Sequence, residues 1–109
     1  MILKERVALV TGAGAGIGQA VAKTFAQQGA MVILLGRNSK RKKLEQTYDL
    51  IHEAGGKATI VPLDLENELG LVPALVKSLY ERFGRLDILV NNAAELGALT
   101  PLALYDNLL

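Results

Sequence analysis

Val7-Ala8-Leu9-Val10-Thr11-Gly12-Ala13-Gly14-Ala15-Gly16-Ile17-Gly18 is the stretch whose reading decides the fold. Its apolar, β-branched opening, residues 7–10, suits a strand covered on both faces. It breaks at once into four glycines within seven residues, Gly12, Gly14, Gly16 and Gly18. Ile17 then opens a helical pattern that continues through Val21 and Phe25. A strand, a glycine loop and a helix start, in that order, make an anion site: the first N–H groups of the helix have no intrahelical acceptor, and the dipole is positive there. Glycines let an anion approach the backbone with no Cβ in the way. The alternative at this point is a glycine-rich strand-to-helix turn that holds no ligand.

Composition bounds the rest. A chain of 109 residues is one domain at most, and with 50% apolar residues it can form a true core. No run approaches the ~20 apolar residues of a membrane span. The start, Met-Ile-Leu-Lys-Glu-Arg, has no signal-peptide apolar region. Without cysteine, disulfides and thiolate metal sites are excluded, and a net charge of +1 gives no general attraction to nucleic acid or membrane. A soluble, cytoplasmic protein is expected.

Outward from the glycines, strands alternate with helices. Ile17, Val21 and Phe25 predict the inner face of a first helix over 17–28, with Gly29 at its C′ position. Residues 31–35 are a second apolar strand. Ser39 is expected to cap a second helix running to about residue 54, with Leu44, Tyr48 and Ile51 inward and Gly55-Gly56 as its stop. A third strand over 58–63 contains Pro62, which cannot donate to a central ladder and so places that strand at an edge or Pro62 at its end. A third helix over 67–84 tolerates Pro73 only near its first turn, and turns Leu75, Leu79 and Phe83, with Val72 and Val76, inward. Residues 86–90 are the fourth strand. The pattern implies βαβ units and a parallel sheet.

The loop fails the strict G-x-G-x-x-G spacing but fits Thr-Gly-x-x-x-Gly-x-Gly through Thr11, Gly12, Gly16 and Gly18. In this it resembles the short-chain dehydrogenase/reductase family, and Asn91-Asn92-Ala93-Ala94 after the fourth strand looks like that family's Asn-Asn-Ala-Gly segment. Ala94 stands where the family has glycine. The resemblance spans essentially the whole chain. It implies a Rossmann-like, doubly wound α/β sheet with four strands in the order 3-2-1-4, truncated before a fifth strand. Residues 1–94 would be the NAD(P)-binding half-domain, and the apolar tail 95–109 the start of a missing catalytic half. An edge left unpaired at the fourth strand invites self-association or completion by that half.

By the same resemblance, Gly12, Gly14, Ala15, Gly16, Ile17 and Gly18 cradle the pyrophosphate of a nicotinamide dinucleotide. Asp64 and the Leu65 backbone meet the adenine, and Asn92 and Ala93 line the nicotinamide-ribose side. Asp64 has a plainer alternative as a turn or helix-entry acceptor. The cofactor's identity turns on the end of the second strand, Leu35-Gly36-Arg37-Asn38, which carries no acid for a ribose 2′-OH. Arg37, with Asn38 beside it, suits a 2′-phosphate. Lys40-Arg41-Lys42-Lys43 opens the second helix against its dipole, a cost that a bound phosphate offsets, unless the run is simply a solvated basic face. NADP(H) is therefore expected over NAD(H), which remains possible.

The family's hydride chemistry relies on a Tyr with a Lys four residues on, and a Ser. Tyr48, Tyr80 and Tyr105 are followed at that distance by His52, Gly84 and Leu109. The serines are Ser39 and Ser78, and the lone His52 reads as a surface residue. No catalytic residue and no metal cluster is expected in this chain. Its reading is the cofactor-binding portion of a short-chain oxidoreductase acting between a carbonyl and an alcohol. The alternative is a non-catalytic nucleotide-binding or interaction module that associates through its open sheet edge. A methyltransferase-type glycine loop is disfavoured, because the second strand ends without the acid that would hold an adenosyl ribose.

Overall fold

The computed structural model describes residues 1–92. Ala93, Ala94 and the tail 95–109, with the expected boundary at residue 94, lie outside the described residues. The elements are β1 (Val7–Thr11), α1 (Gly16–Gln27), β2 (Met31–Gly36), α2 (Arg41–Glu53), β3 (Lys57–Pro62), α3 (Val72–Phe83) and β4 (Ile88–Val90), with short 3₁₀ turns at Asn38–Lys40 and Leu69–Leu71. They form one parallel sheet in the order β3-β2-β1-β4. Val7 stands opposite Met31, Thr11 opposite Leu35, and Gly36 opposite Pro62. Pro62 is thus the last residue of an edge strand, where its missing N–H costs no ladder bond.

Strand alternation divides the core between the two faces. Val7, Leu9, Ile33 and Leu35 pack with Leu63, Leu65 and the α3 residues Val72, Val76 and Leu79. Ala8 and Val10 of β1, with Val32 and Leu34 of β2, point to the opposite face. There Val10, Val32 and Leu34 pack with Ala22 and Ala26 of α1 and with Leu44 and Ile51 of α2. Each fully buried Leu or Ile contributes about 1.5–3 kcal/mol.

Three sequence expectations are corrected. The inner face of α1 is Gly18, Ala22 and Ala26, not Ile17, Val21 and Phe25. Ile17 is 72% exposed, while Val21 and Phe25 are half-buried flanks. Small residues face inward because α1 crosses close to its own loop: a Cβ on Gly18 would stand 2.1 Å from the Gly12 carbonyl oxygen. Ser39 caps nothing. It lies within the 3₁₀ turn, Lys40 takes the cap position of α2, and no side chain bonds that end. The third helix begins at Val72, five residues later than expected, with Pro73 in its first turn. A start at residue 67 would have put the proline in the helix interior, without an N–H and against the preceding turn. The chain instead turns on Asp64, whose Oδ1 accepts the Glu66 and Asn67 N–H groups at 3.0 and 3.3 Å.

Two strands differ by small shifts. β3 is displaced one residue toward the N-terminus of the expected span, and β4 begins at Ile88 rather than residue 86. Asp87 nonetheless continues the pairing, its N–H donating to the Val7 carbonyl at 2.9 Å. Two of the stops were legible: Gly29 and Gly55 lie just past their helices with left-handed φ of +96° and +85°, and Gly84, which the sequence expectation places inside the third helix, ends it in the same way at +78°.

Candidate dinucleotide-binding site

The carboxyl ends of β1, β2 and β3 open on a cleft of about 360 Å³. Its first wall is the glycine loop. Gly12 and Gly16 hold left-handed φ of +61° and +58°, which side-chain-bearing residues adopt only with strain. A Cβ on Gly16 would meet nothing, so the loop is bare at that one position, whereas a Cβ on Gly14 would press on the Lys43 Cβ at 2.9 Å. Ala15, at the N-cap of α1, gives no side-chain bond, and the first turn holds no acid. The N–H groups of that turn therefore keep their capacity for an anion.

Thr11 and Asn92 pin the loop from beneath. The Asn92 N–H donates to Thr11 Oγ1 at 2.7 Å, and the hydroxyl itself faces the Asn91 Oδ1 at 3.3 Å and the Val90 carbonyl at 3.4 Å. Asn92 Nδ2 donates to the Gly12 carbonyl at 3.4 Å. The asparagine pair thus braces the first strand–loop junction from the end of the neighbouring strand.

The second wall is charged. Arg37, Lys40 and Lys43 line the cleft together with Asp64 and Glu66, and Leu35, Leu44 and Leu63 add apolar lining. Of the basic run, Lys40 and Lys43 face the cleft. Arg41 instead pairs with Glu45 along the exposed helix, Nε to Oε1 at 3.1 Å. The Asn67 side-chain amide, donating to Asp64 Oδ2 at 2.8 Å, holds the Asp64 carboxyl below the usual carboxylate range. The backbone N–H groups of Asn67 and Glu66 and the charge of Arg37 act in the same direction. Asp64 is therefore ionised at neutral pH and accepts the bonds of its own turn while lining the cleft.

Gly12, Gly14, Ala15, Arg37, Asp64, Leu65 and Asn92 are brought together around this cleft. Gly16 and Ile17 lie exposed at the start of α1, and Asn38 is exposed in its 3₁₀ turn. Gly18 is buried and serves close packing. Leu65 has its side chain in the core. Ala93 lies outside the described residues. His52 is exposed and stacked on Tyr48, their rings 5.6 Å apart.

Sequence reasoning missed Thr47 and Gln19. Thr47 is fully buried on α2, donates to the Ala13 carbonyl at 2.9 Å and accepts from Gln19 Nε2 at 3.0 Å. The signal was available: Leu44, Thr47 and Ile51 lie on one face at spacings of three and four.

A family model for short chain dehydrogenases matches residues 6–106. The chain belongs to the short-chain dehydrogenase family. A 3beta-hydroxysteroid dehydrogenase of Mediterraneibacter gnavus is 43% identical over 94 residues, covering 86% of this chain and 33% of the relative. A metagenomic short-chain oxidoreductase solved in complex with NADP superposes with a TM-score of 0.80 at 34% identity, over 99% of this chain and 50% of that one. An NAD⁺-bound xylitol dehydrogenase superposes at 0.72, also 34% identical, over 82% of this chain and 33% of that one. The chain spans about a third of the length of the curated relatives it matches. The family assignment accounts for the sheet order and the NAD(P)-binding type of the glycine loop. Among the described residues no helix is long and apolar enough to cross a membrane, and no three potential metal ligands cluster.

Proposed function

We propose that this short-chain dehydrogenase chain forms the NADP(H) site of an oxidoreductase that interconverts a carbonyl and an alcohol. The carrying observation is that the glycine loop, through Gly12, Gly14 and Ala15, shares one cleft with Arg37, Lys40 and Lys43. The residues present fit the dinucleotide. The N–H groups at the start of α1, which no side chain caps and where a Cβ on Gly16 would meet no neighbour, suit a diphosphate. Arg37 and the two lysines suit a further phosphate on the adenosine ribose, for which no acid at the end of β2 competes. Asp64 and the Leu65 backbone are assigned to the adenine, and Asn92 with Ala93 to the nicotinamide-ribose side.

When bound, the nicotinamide ring donates or accepts hydride. This chain's own residues hold and orient the diphosphate and ribose phosphate; none of its 109 residues forms a Tyr-x-x-x-Lys pair. In this reading the groups that polarise the carbonyl and move its proton belong to the other part of such an enzyme, in the same polypeptide or a second one.

Titration with NADPH and NADH tests the assignment. The expected result is NADPH bound at least about tenfold tighter, one charge-assisted phosphate contact's worth. Equal or tighter NADH binding removes the NADP preference, and failure to bind either removes the nucleotide site.

A further inference from the structure

The loop and the cations of the cleft belong to different elements, since the loop leads into α1 whereas Lys40 and Lys43 stand at the start of α2. Something must hold the two at one separation. Packing supplies part: the loop lies so close to α2 that a Cβ on Gly14 would come within 2.9 Å of the Lys43 Cβ and 3.4 Å of the Leu44 N. A polar bridge supplies the rest. Thr47, one turn beyond Lys43 and with 0% of its surface exposed, donates its hydroxyl hydrogen to the Ala13 carbonyl at 2.9 Å. Its lone pair accepts from Gln19 Nε2 at 3.0 Å, Gln19 being in the first turn of α1. The remaining neighbour, the Lys43 carbonyl, is farther, at 3.3 Å.

A threonine hydroxyl on a buried helix face commonly bonds back to its own helix four residues earlier. Here the shorter bond leaves the helix and ends on the glycine loop. The hydroxyl thus joins three parts in one chain of bonds: the start of α1, the loop at Ala13, and the turn of α2 that follows Lys43.

We infer that the Gln19–Thr47–Ala13 bridge is a positioning device that sets the distance between the loop amides and the Lys40 and Lys43 cations at the start of α2, and so the discrimination between phosphorylated and unphosphorylated dinucleotides. The inference rests on the proposed NADP(H) site. A ligand with phosphate at both places spans the loop and α2 together and is sensitive to their spacing. One without the ribose phosphate engages the loop and leaves the α2 cations unused. Thr47 touches no ligand in this scheme; it acts through the two elements that do.

The test compares NADPH and NADH dissociation constants for the full chain and for Thr47→Val, Thr47→Ser and Gln19→Met. Thr47→Val keeps the volume and removes the hydroxyl; the expected result is NADPH binding weakened roughly three- to tenfold, the worth of one buried hydrogen bond, with NADH changed less than about twofold. Thr47→Ser, which keeps the hydroxyl, is expected to restore the preference. Gln19→Met removes the donor at a half-buried position and is expected to move the ratio in the same direction, which keeps the test open if Thr47→Val is too unstable to purify. An equal loss for both dinucleotides, or none for either, overturns the positioning role while leaving the NADP(H) site intact. A wild-type chain that binds neither dinucleotide overturns the nucleotide site, and one that binds both alike overturns the NADP preference; either result overturns the inference with it and is read before any variant.

Discussion

The amino and carboxyl ends of the same parallel strands are finished in opposite ways. At the amino ends, Asp87 closes the sheet on itself. One carboxylate accepts the Val7 N–H at 2.8 Å and both Arg85 Nε and Nη2 at 2.8 and 2.9 Å, with Arg6 at 3.5 Å. The orphan donor at the start of β1 is thereby satisfied from within the chain. At the carboxyl ends the N–H groups that open α1 receive no side-chain cap, and three cations line the neighbouring cleft. The difference teaches where this fold keeps its binding capacity. Polar groups bonded internally contribute stability, and those left open can be completed by an anion.

The contrast breaks most sharply at Gly18. A Cβ there would meet the Gly12 carbonyl at 2.1 Å, and backbone on both sides cannot give way. Gly18→Ala is expected to destabilise by about 3 kcal/mol or more through overpacking. It is also expected to abolish dinucleotide binding, checked by denaturant unfolding and NADPH titration.

Arg37→Ala tests the open end without disturbing the core. NADPH affinity is expected to fall about ten- to a hundredfold, as for loss of a charge-assisted contact, with NADH nearly unchanged. The salt dependence of NADPH binding should shrink with it. A parallel loss for both cofactors would place Arg37 outside the phosphate site.

Asp87→Ala tests the closed end. It leaves the Val7 N–H without its acceptor and is expected to cost about 1–3 kcal/mol, with NADPH affinity within twofold of wild type. The hydrogen bond from Arg85, aided by that from Val7 and by the charges of Arg85 and Arg6, holds the Asp87 carboxyl below its ordinary value. Its contribution is therefore complete above about pH 4, the ordinary aspartate value, and is lost as pH falls through the lower folded one. In the variant, unfolding midpoints between about pH 4 and pH 2 should depend less on pH than in wild type. The same slope in both would show that Asp87 carries no linkage.

The smallest effect is at Ser39. A true N-cap serine replaced by alanine costs about 0.5–2 kcal/mol. Because Ser39 makes no capping bond, Ser39→Ala is expected to change stability by less than about 0.5 kcal/mol, as at an ordinary surface position. A larger loss would restore the cap that the sequence suggested.

Much of the fold was legible because its signals are local. Apolar runs marked the strands, glycines marked the ends of the first two helices, and Pro62 restricted β3 to an edge or itself to a strand end, both of which hold. The error at α1 has a non-local cause. Ile17, Val21 and Phe25 obey helical spacing and are the largest apolar residues of α1, yet the helix turns Gly18, Ala22 and Ala26 inward. Size alone argued for the wrong face, since the contact partner, the Gly12 carbonyl, is set by how the loop folds back. The same holds for Thr47: its polarity removed it from an apolar stripe, although it completes the buried face of α2.

From the sequence alone came the strand–glycine–helix order, the parallel sheet, the restriction of Pro62 to an edge strand or a strand end, and the absence of an acid after β2. These are properties of near neighbours along the chain, where backbone freedom and side-chain shape decide. Only the tertiary structure decided which face of α1 is buried, which two lysines of the basic run enter the cleft, and that Thr47 and Asp87 fasten distant segments. Those outcomes depend on atoms separated by tens of residues coming within 3 Å of each other, as Thr47 does with Ala13 and Asp87 with Val7. Local spacing carries no record of such distances, because it fixes where a residue sits on its own element and not what that element meets.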